Sequence, residues 1–189
     1  MVFAQMESPM YRKTSITTYC NLQFDPLFAQ VQDIRIDDIA HALSLICRAN
    51  GHFRIFYSVA QHSIHCALEA AACAYTKKTQ LHCLLHDAAE AYLGDVTRPL
   101  KRHLPLYVEA EETLQRTIYR ALQIDPPTDM EQQDIKCLDD RLLYHEFLTY
   151  HGSEVWDKAQ ALSIVLPREE IPHREAEETF LRLFKALKD

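Results

Sequence analysis

The chain has 189 residues, 48% of them hydrophobic and 25% charged, the make-up of one globular domain large enough to bury a core. Its three glycines exclude a Gly-rich phosphate loop, and neither a dinucleotide-binding fingerprint nor a Walker-type run occurs. A net charge of −7 gives no footprint for wrapping nucleic acid, although it leaves room for a local basic pocket that takes one phosphate.

Residues 1–15 are mixed and polar without periodicity and read as a flexible or loosely docked start. ITTYCNLQF has the β-branched and aromatic content of a short strand, Asp25-Pro26 breaks it, and VQDIRI is the expected partner in a small hairpin. Asp37 or Asp38 then caps a helix in which Ile39, Leu43, Ile46 and Cys47 form an apolar face, with Gly51 at its C-terminal end. Helices follow over roughly 58–75, 79–93 and 105–124, and Pro105 suits the first turn of the last. Thr128 and Glu131 form a capping box that opens a long helix to about Tyr150, closed by Gly152. A loop through Pro167 and Pro172 leads to a final amphipathic helix, HREAEETFLRLFKALK, whose Phe180, Leu183, Phe184 and Leu187 serve either the core or a homodimer contact. The fold class is all-α: a helical bundle with a small N-terminal β-hairpin, forming one domain over 1–189. The six cysteines contain no C-x-x-C pair and mostly fall in apolar helical stretches, as small buried thiols do. With no apolar signal core and no membrane-length apolar run, the chain reads as cytoplasmic and reduced.

The chemistry gathers between Tyr57 and Lys101. Ser58 and Gln61 fit a capping box, which puts His62 at the end of a first helical turn. In TQLHCLLHDAAEAYL, Leu81, Leu84, Leu85, Ala88 and Ala89 make an apolar stripe, and His86 and Asp87 border it about 100° apart around the axis. A carboxylate and an imidazole buried there need partners. A divalent cation satisfies both, and so does a plain His–Asp hydrogen bond at a helix interface. A further acidic pair, Asp139-Asp140, lies on the helix opened by Thr128.

YSVAQHS, LLHDAAEAYLGDVTRPLK and IKCLDD together resemble the HD-superfamily metal-dependent phosphohydrolases, in the branch of bacterial and phage-type hydrolases related to 5′-deoxyribonucleotidases. The similarity runs from about Ile34 to Tyr150. It implies an HD-type helical bundle with His62, His86, Asp87 and Asp139 as metal ligands. Asp139 is preferred to Asp140 because Lys136 supplies the Lys of the family's I/V-K-x-x-D pattern. Two imidazoles and two carboxylates suit Mn, Co, Fe, Zn or Mg better than a thiophilic site would. Asp95, in a G-D-x-x-x-P-x-K run, becomes the proton-transfer group, and Glu90 a neighbouring acid that orients water or a ligand. Arg48, Arg98 and Lys101 become candidate phosphate donors. His65 reads as a supporting or partly exposed residue, while His82, His103, His145, His151 and His173 read as structural or surface. The cluster Glu109, Glu111 and Glu112 reads as a solvated helix face.

The activity so implied is removal of phosphate from a small phosphomonoester, a nucleoside 5′-monophosphate, by attack of a metal-bound hydroxide. Two other readings stay open: another HD hydrolase acting on a phosphodiester or nucleoside triphosphate, and a non-catalytic nucleotide- or metal-binding protein. Nucleic acid and membrane are not expected as partners.

Overall fold

A computed structural model describes residues 15–155 and 158–189; the expected N-terminal start lies, but for Ser15, outside the described residues. Among them the architecture is helical with one two-stranded antiparallel sheet.

That sheet forms within ITTYCNLQF alone. Strand β1 (Ile16–Thr17) pairs with β2 (Gln23–Phe24), Ile16 opposite Phe24. The turn between them uses Asn21 at φ 61°, a left-handed position that asparagine tolerates better than most residues. The expected partner VQDIRI instead begins with a 3-10 turn over Val31–Asp33, a correction to the reading above. Phe24 is fully buried and stacks on Tyr92, which fastens the hairpin to the bundle.

Helix α1 (Ile36–Leu45) is preceded by Arg35, which gives no side-chain cap; Asp37 and Asp38 lie in the first turn, where they complement the helix dipole. Asp38 also accepts from the Cys20 amide at 2.6 Å. The helix stops at Leu45, well short of Gly51. Ile46 and Cys47 are extended, and Ala49, Asn50 and Gly51 all take positive φ in a tight turn. Backbone bonds from Val59 to Ile46 (3.0 Å) and from Arg48 to Tyr57 (2.8 Å) tie this stretch to the start of the next helix.

That helix, α2 (Val59–Ala72), is opened by the Ser58–Gln61 capping box. It is buried nearly all round and touches α1, α3 (Lys77–Leu85), α7 (Asp129–Glu146) and α8 (His173–Lys188). A helix so enclosed carries any polar residue into the core, and α2 carries His62, His65 and Glu69. The expected helix 79–93 is α3 followed by a turn at His86–Ala89 and a single turn, α4 (Glu90–Leu93). After α5 (Arg98–Lys101) and α6 (Pro105–Ala121, with Pro105 in its first turn), the Thr128–Glu131 capping box starts α7. A five-residue π turn, Phe147–His151, widens the end of α7 before Gly152. With so few glycines, α2 and α6 end through Ala74 and Gln123 in the left-handed region. The closing bonds are Tyr75 N–H to Ala70 O and Ile124 N–H to Tyr119 O, a Schellman arrangement.

Phe180 and Phe184 of α8 are buried against α1, α2 and α3, so this helix covers the core. Of the six cysteines, Cys66 and Cys83 are buried; Cys20 and Cys137 are exposed and Cys47 and Cys73 half-buried, fewer inside than composition led us to expect.

Glu69, with no solvent exposure, draws the segment before α8 onto α2. Its carboxylate accepts from the amides of Ser163 (2.9 Å) and Ile164 (3.0 Å) and pairs with Arg141 at 3.3 Å. Glu69→Ala strips a buried charge network of its acceptor and is expected to lower unfolding free energy by about 3 kcal/mol in a denaturant titration. Lys78→Ala removes only the exposed Lys78–Glu131 pair and costs less than about 1 kcal/mol.

Candidate metal centre

Three helical segments aim polar side chains at one point. His62 comes from the first turn of α2, His86 and Asp87 from the turn after α3, and Asp139 from the middle of α7. His62 Nε2 lies 3.2 Å from His86 Nε2, 3.1 Å from Asp139 Oδ1 and 3.7 Å from Asp87 Oδ2. His86 Nε2 is 3.3 Å from Asp87 Oδ2 and 4.0 Å from Asp139 Oδ1. Of the four residues named from the sequence, His62, His86 and Asp87 form one compact group, and Asp139 lies beside it.

The far nitrogens show what this convergence can hold. His86 Nδ1 is 2.7 Å from the Cys83 carbonyl, which can only accept, so Nδ1 carries the proton. His62 Nδ1 is 2.7 Å from Glu146 Oε1, again an acceptor. The His86 Nε2 lone pair is thus free to face the carboxylates. Neighbours of His62 Nε2 make conflicting demands: Asp139 can only accept from it, while Arg48 Nη2, 3.0 Å away, can only donate to it. His62, His86 and Asp87 each bring a ligand atom within 4.8 Å of the others and could hold a metal ion, while Asp139 stands beside that group, 3.1 Å from His62 Nε2 and 4.0 Å from His86 Nε2. The donor set fits a divalent metal ion.

Electrostatics agree. Burial opposes ionisation of Asp139, yet His62, His86 and Arg48 outweigh it and hold that carboxyl well below its usual range. Asp87 is lowered in the same way, burial being outweighed by His86, Arg48 and His62. Burial and Arg48 work against a charge on His62, but Glu146 and Asp139 lift its pKa to about 9. The pocket favours positive charge at the point where the four donors meet.

Glu146 was not singled out from the sequence, although it follows Asp139 by two helical turns and so shares its face. It is fully buried and fixes His62, and it accepts a further bond from the Tyr57 hydroxyl at 2.8 Å. His65, buried where partial exposure was one expectation, stands 2.8 Å from the same hydroxyl; burial pushes its pKa down to about 4. A carboxylate behind a metal-facing histidine sets its tautomer and raises its basicity.

Arg48 is buried beside the donors, at the start of the 3-10 turn Arg48–Gly51 that follows the extended Ile46 and Cys47. Its guanidinium faces Asp87 (3.2 Å), Asp139 (3.5 Å), Glu146 (3.7 Å) and Asp95 (4.0 Å). Arg98 pairs with both Asp139, at 2.5 Å, and Asp140. Lys101 pairs with Glu111 at 2.8 Å and Glu90 at 3.5 Å, so Glu111 belongs to the edge of this site and not to a solvated face. Each candidate phosphate donor is already engaged by carboxylates, and holding a phosphate means exchanging one of them. Asp140 points outward, half exposed, to Lys136 at 2.7 Å.

Glu90 is 3% exposed; burial, with Asp87 and Asp95 nearby, pushes its carboxyl well above the usual range. Asp95 is raised too, burial being the main cause. It follows Gly94, whose φ of 82° is open to glycine at little cost and turns the chain back towards the donors. A cavity of about 450 Å³ is lined by Arg48, Asp87, Glu90, Asp95, Lys101 and Asp139. His151, read from sequence as structural or surface, stands at its rim with His52.

A helical domain that gathers His, His-Asp and Asp around one point defines the class, and the HD-domain family model matches residues 52–152. The chain belongs to the HD-domain family. It is 43% identical over 94 residues to the uncharacterized protein YfdR of Escherichia coli (strain K12), covering 50% of each chain. It is 35% identical over 102 residues to an uncharacterized protein of Rhodobacter capsulatus, covering 51% of this chain and 52% of that one. The chain thus spans about half the length of the curated relatives it matches.

The placement of the two neighbouring acids yields a direct test. Asp139→Ala should abolish stoichiometric Mn²⁺ binding in calorimetry, while Asp140→Ala, which removes an outward carboxylate, should leave affinity within a few-fold of the parent. Glu146→Gln should weaken binding by about 10- to 100-fold without removing a donor atom from the metal.

Proposed function

We propose that the protein is a metal-dependent phosphohydrolase that removes phosphate from a small phosphomonoester, with a nucleoside 5′-monophosphate as substrate. The observation that carries the reading is the convergence of His62 Nε2, His86 Nε2, Asp87 and Asp139 beside a cavity that also contains Arg48 and Asp95. A divalent ion held there would polarise a phosphoryl oxygen and bring the pKa of a water molecule towards neutrality.

The chain's own residues divide the remaining work. Four titratable carboxyls stand within one small volume, and their surroundings drive them apart: Asp87 and Asp139 towards the ionised form, Glu90 and Asp95 towards the protonated form. Such a split is how one site obtains both ligands and proton carriers. Asp95 moves the proton, taking it from the attacking water or giving it to the leaving alkoxide. Glu90, buried and shifted towards the protonated form, is placed at the cavity wall to orient water or substrate. Arg48 offsets charge developing on the phosphoryl oxygens, with Lys101 at the cavity wall.

Substrate size and charge favour a mononucleotide. A cavity of about 450 Å³ falls in the range of roughly 300–1,000 Å³ that small ligands occupy. Three cations among its described lining residues, each shared with carboxylates, are few for a triphosphate. Resemblance to the nucleotidase branch supports the same choice.

The test is phosphate release from nucleoside mono-, di- and triphosphates with Mn²⁺ or Co²⁺ present, on the parent and on Asp95→Asn. Release from the monophosphates is expected, with kcat falling by about 10²–10⁴-fold in Asp95→Asn while bound metal and nucleotide affinity persist. Preference for triphosphates would move the substrate class. Binding without release by the parent would make the protein a nucleotide-binding module, and loss of metal in Asp95→Asn would make Asp95 a ligand.

A further inference from the structure

His86 and Asp87 sit where regular helix is interrupted, and the interruption has an identifiable cause. In a continuous α-helix the Ala89 amide would donate to the Leu85 carbonyl, four residues back. Here the side-chain amide of Gln115, from α6, stands between them. Its Nε2 donates to Leu85 O at 2.8 Å, and its Oε1 accepts from Ala89 N–H at 3.1 Å. Orientation of the amide is fixed, because a carbonyl can only accept and an N–H can only donate.

The backbone on either side has rewound to suit. Ala88 bonds to Leu85 (3.0 Å), Glu90 to Asp87 (3.0 Å) and Ala91 to Ala88 (3.3 Å), all three residues back. Four-residue bonds return with Leu93 to Ala89 (3.2 Å) and Gly94 to Glu90 (2.8 Å). Winding at three residues per turn rotates successive side chains by about 120° instead of about 100°, and raises each by about 2.0 Å instead of about 1.5 Å. The directions of His86 and Asp87 therefore depend on this turn staying open.

Local sequence gives no reason for the break. From Lys77 to Leu93 there is neither Gly nor Pro, and LLHDAAEAYL is rich in the strong helix formers Leu and Ala. Leu81, Leu84, Leu85, Ala88 and Ala89 are all buried, so the apolar pattern gives no sign of a break either. An inserted side chain is a recognised cause of such an interruption. Gln115 also lines a second cavity, about 660 Å³, together with His86 and Asp139.

We propose that Gln115 is a positioning residue for the metal centre: its amide holds the Leu85–Ala89 turn open so that His86 Nε2 and Asp87 Oδ2 can share one cation. The inference rests on the metal-centre reading, and it assigns to a residue on a separate helix control over two of the four donors.

The experiment strips the full chain with chelator, measures the thermal midpoint of the metal-free form, and titrates it with Mn²⁺. Gln115→Met keeps the side chain's length but neither hydrogen bond, and lets Ala89 bond directly to Leu85. Its metal-free midpoint should stay within about 4 °C of the parent, since the helix recovers its own bond. Its Mn²⁺ affinity should fall by about 10- to 100-fold. Gln115→Glu keeps an acceptor for Ala89 and should lose less affinity than Gln115→Met. Parental affinity in Gln115→Met would overturn the inference. So would a failure to fold or a midpoint drop beyond that range, either of which would make Gln115 a support of the fold. Equal losses in the two variants would also overturn it. A parent chain that binds no Mn²⁺ would instead refute the metal-centre reading itself, an outcome separable from the others.

Discussion

The structure depends on how a surplus of buried carboxylate is compensated. Asp87, Asp139 and Glu146 crowd the junction of α2, α3 and α7, with Glu90 and Asp95 close by, and Arg48 is the guanidinium set among them. Unpaired burial of such groups is unaffordable, and two charges about 4 Å apart interact by about 4 kcal/mol at the effective dielectric of a protein near its surface. The fold meets the demand in three ways. It supplies Arg48 and Arg98, it lets burial shift Glu90 and Asp95 towards the protonated form, and it sets His62 and His86 against Asp139 and Asp87. The last arrangement gathers His62, His86 and Asp87 closely enough to hold a cation, with Asp139 beside them.

Much of this was legible before any coordinates. Both capping boxes, Ser58–Gln61 and Thr128–Glu131, open helices as read, Pro105 begins α6, and α8 follows its amphipathic pattern from His173. These signals are local, so local sequence carries them. Helix ends at Ala74 and Gln123 were overrun because residues that ordinarily continue a helix occupy left-handed positions there, at a cost of roughly 1 kcal/mol each that packing must offset. The hairpin was misassigned because its turn depends on Asn21 alone, with no glycine to mark it. The break after Leu85 was invisible, since its cause lies on α6 in Gln115. In the site, His62, His86, Asp87 and Asp139 came from the resemblance to the HD superfamily, since spacing alone left a plain His–Asp hydrogen bond equally open. Glu146 had a periodic signal in its two-turn spacing from Asp139. Arg48 acquires its place through a backbone bond to Tyr57 that no pattern announces.

The parts that break local rules lie nearest the chemistry. Three successive positive-φ residues follow Arg48, a 3-10 turn carries His86 and Asp87, and a positive-φ Gly94 precedes Asp95. Strain and irregularity placed this way are what a preorganised site requires, and the regular, enclosed α2 is the frame that sustains them. Asp139 and Arg98 line the cavities on both sides, so the four-donor point can be approached from the Asp95 face and from the Gln115 face. The first face has Glu90 and Asp95, and the second has Gln115.

The central claim is that four side chains from three helical segments hold one divalent ion. Anomalous diffraction from crystals of the full chain grown with Mn²⁺ tests it most directly. The account predicts a single strong peak bonded at about 2.0–2.3 Å to His62 Nε2, His86 Nε2, Asp87 and Asp139. A peak that bypasses these atoms, or crystals with Mn²⁺ in excess and Arg48 still seated against His62, would contradict it.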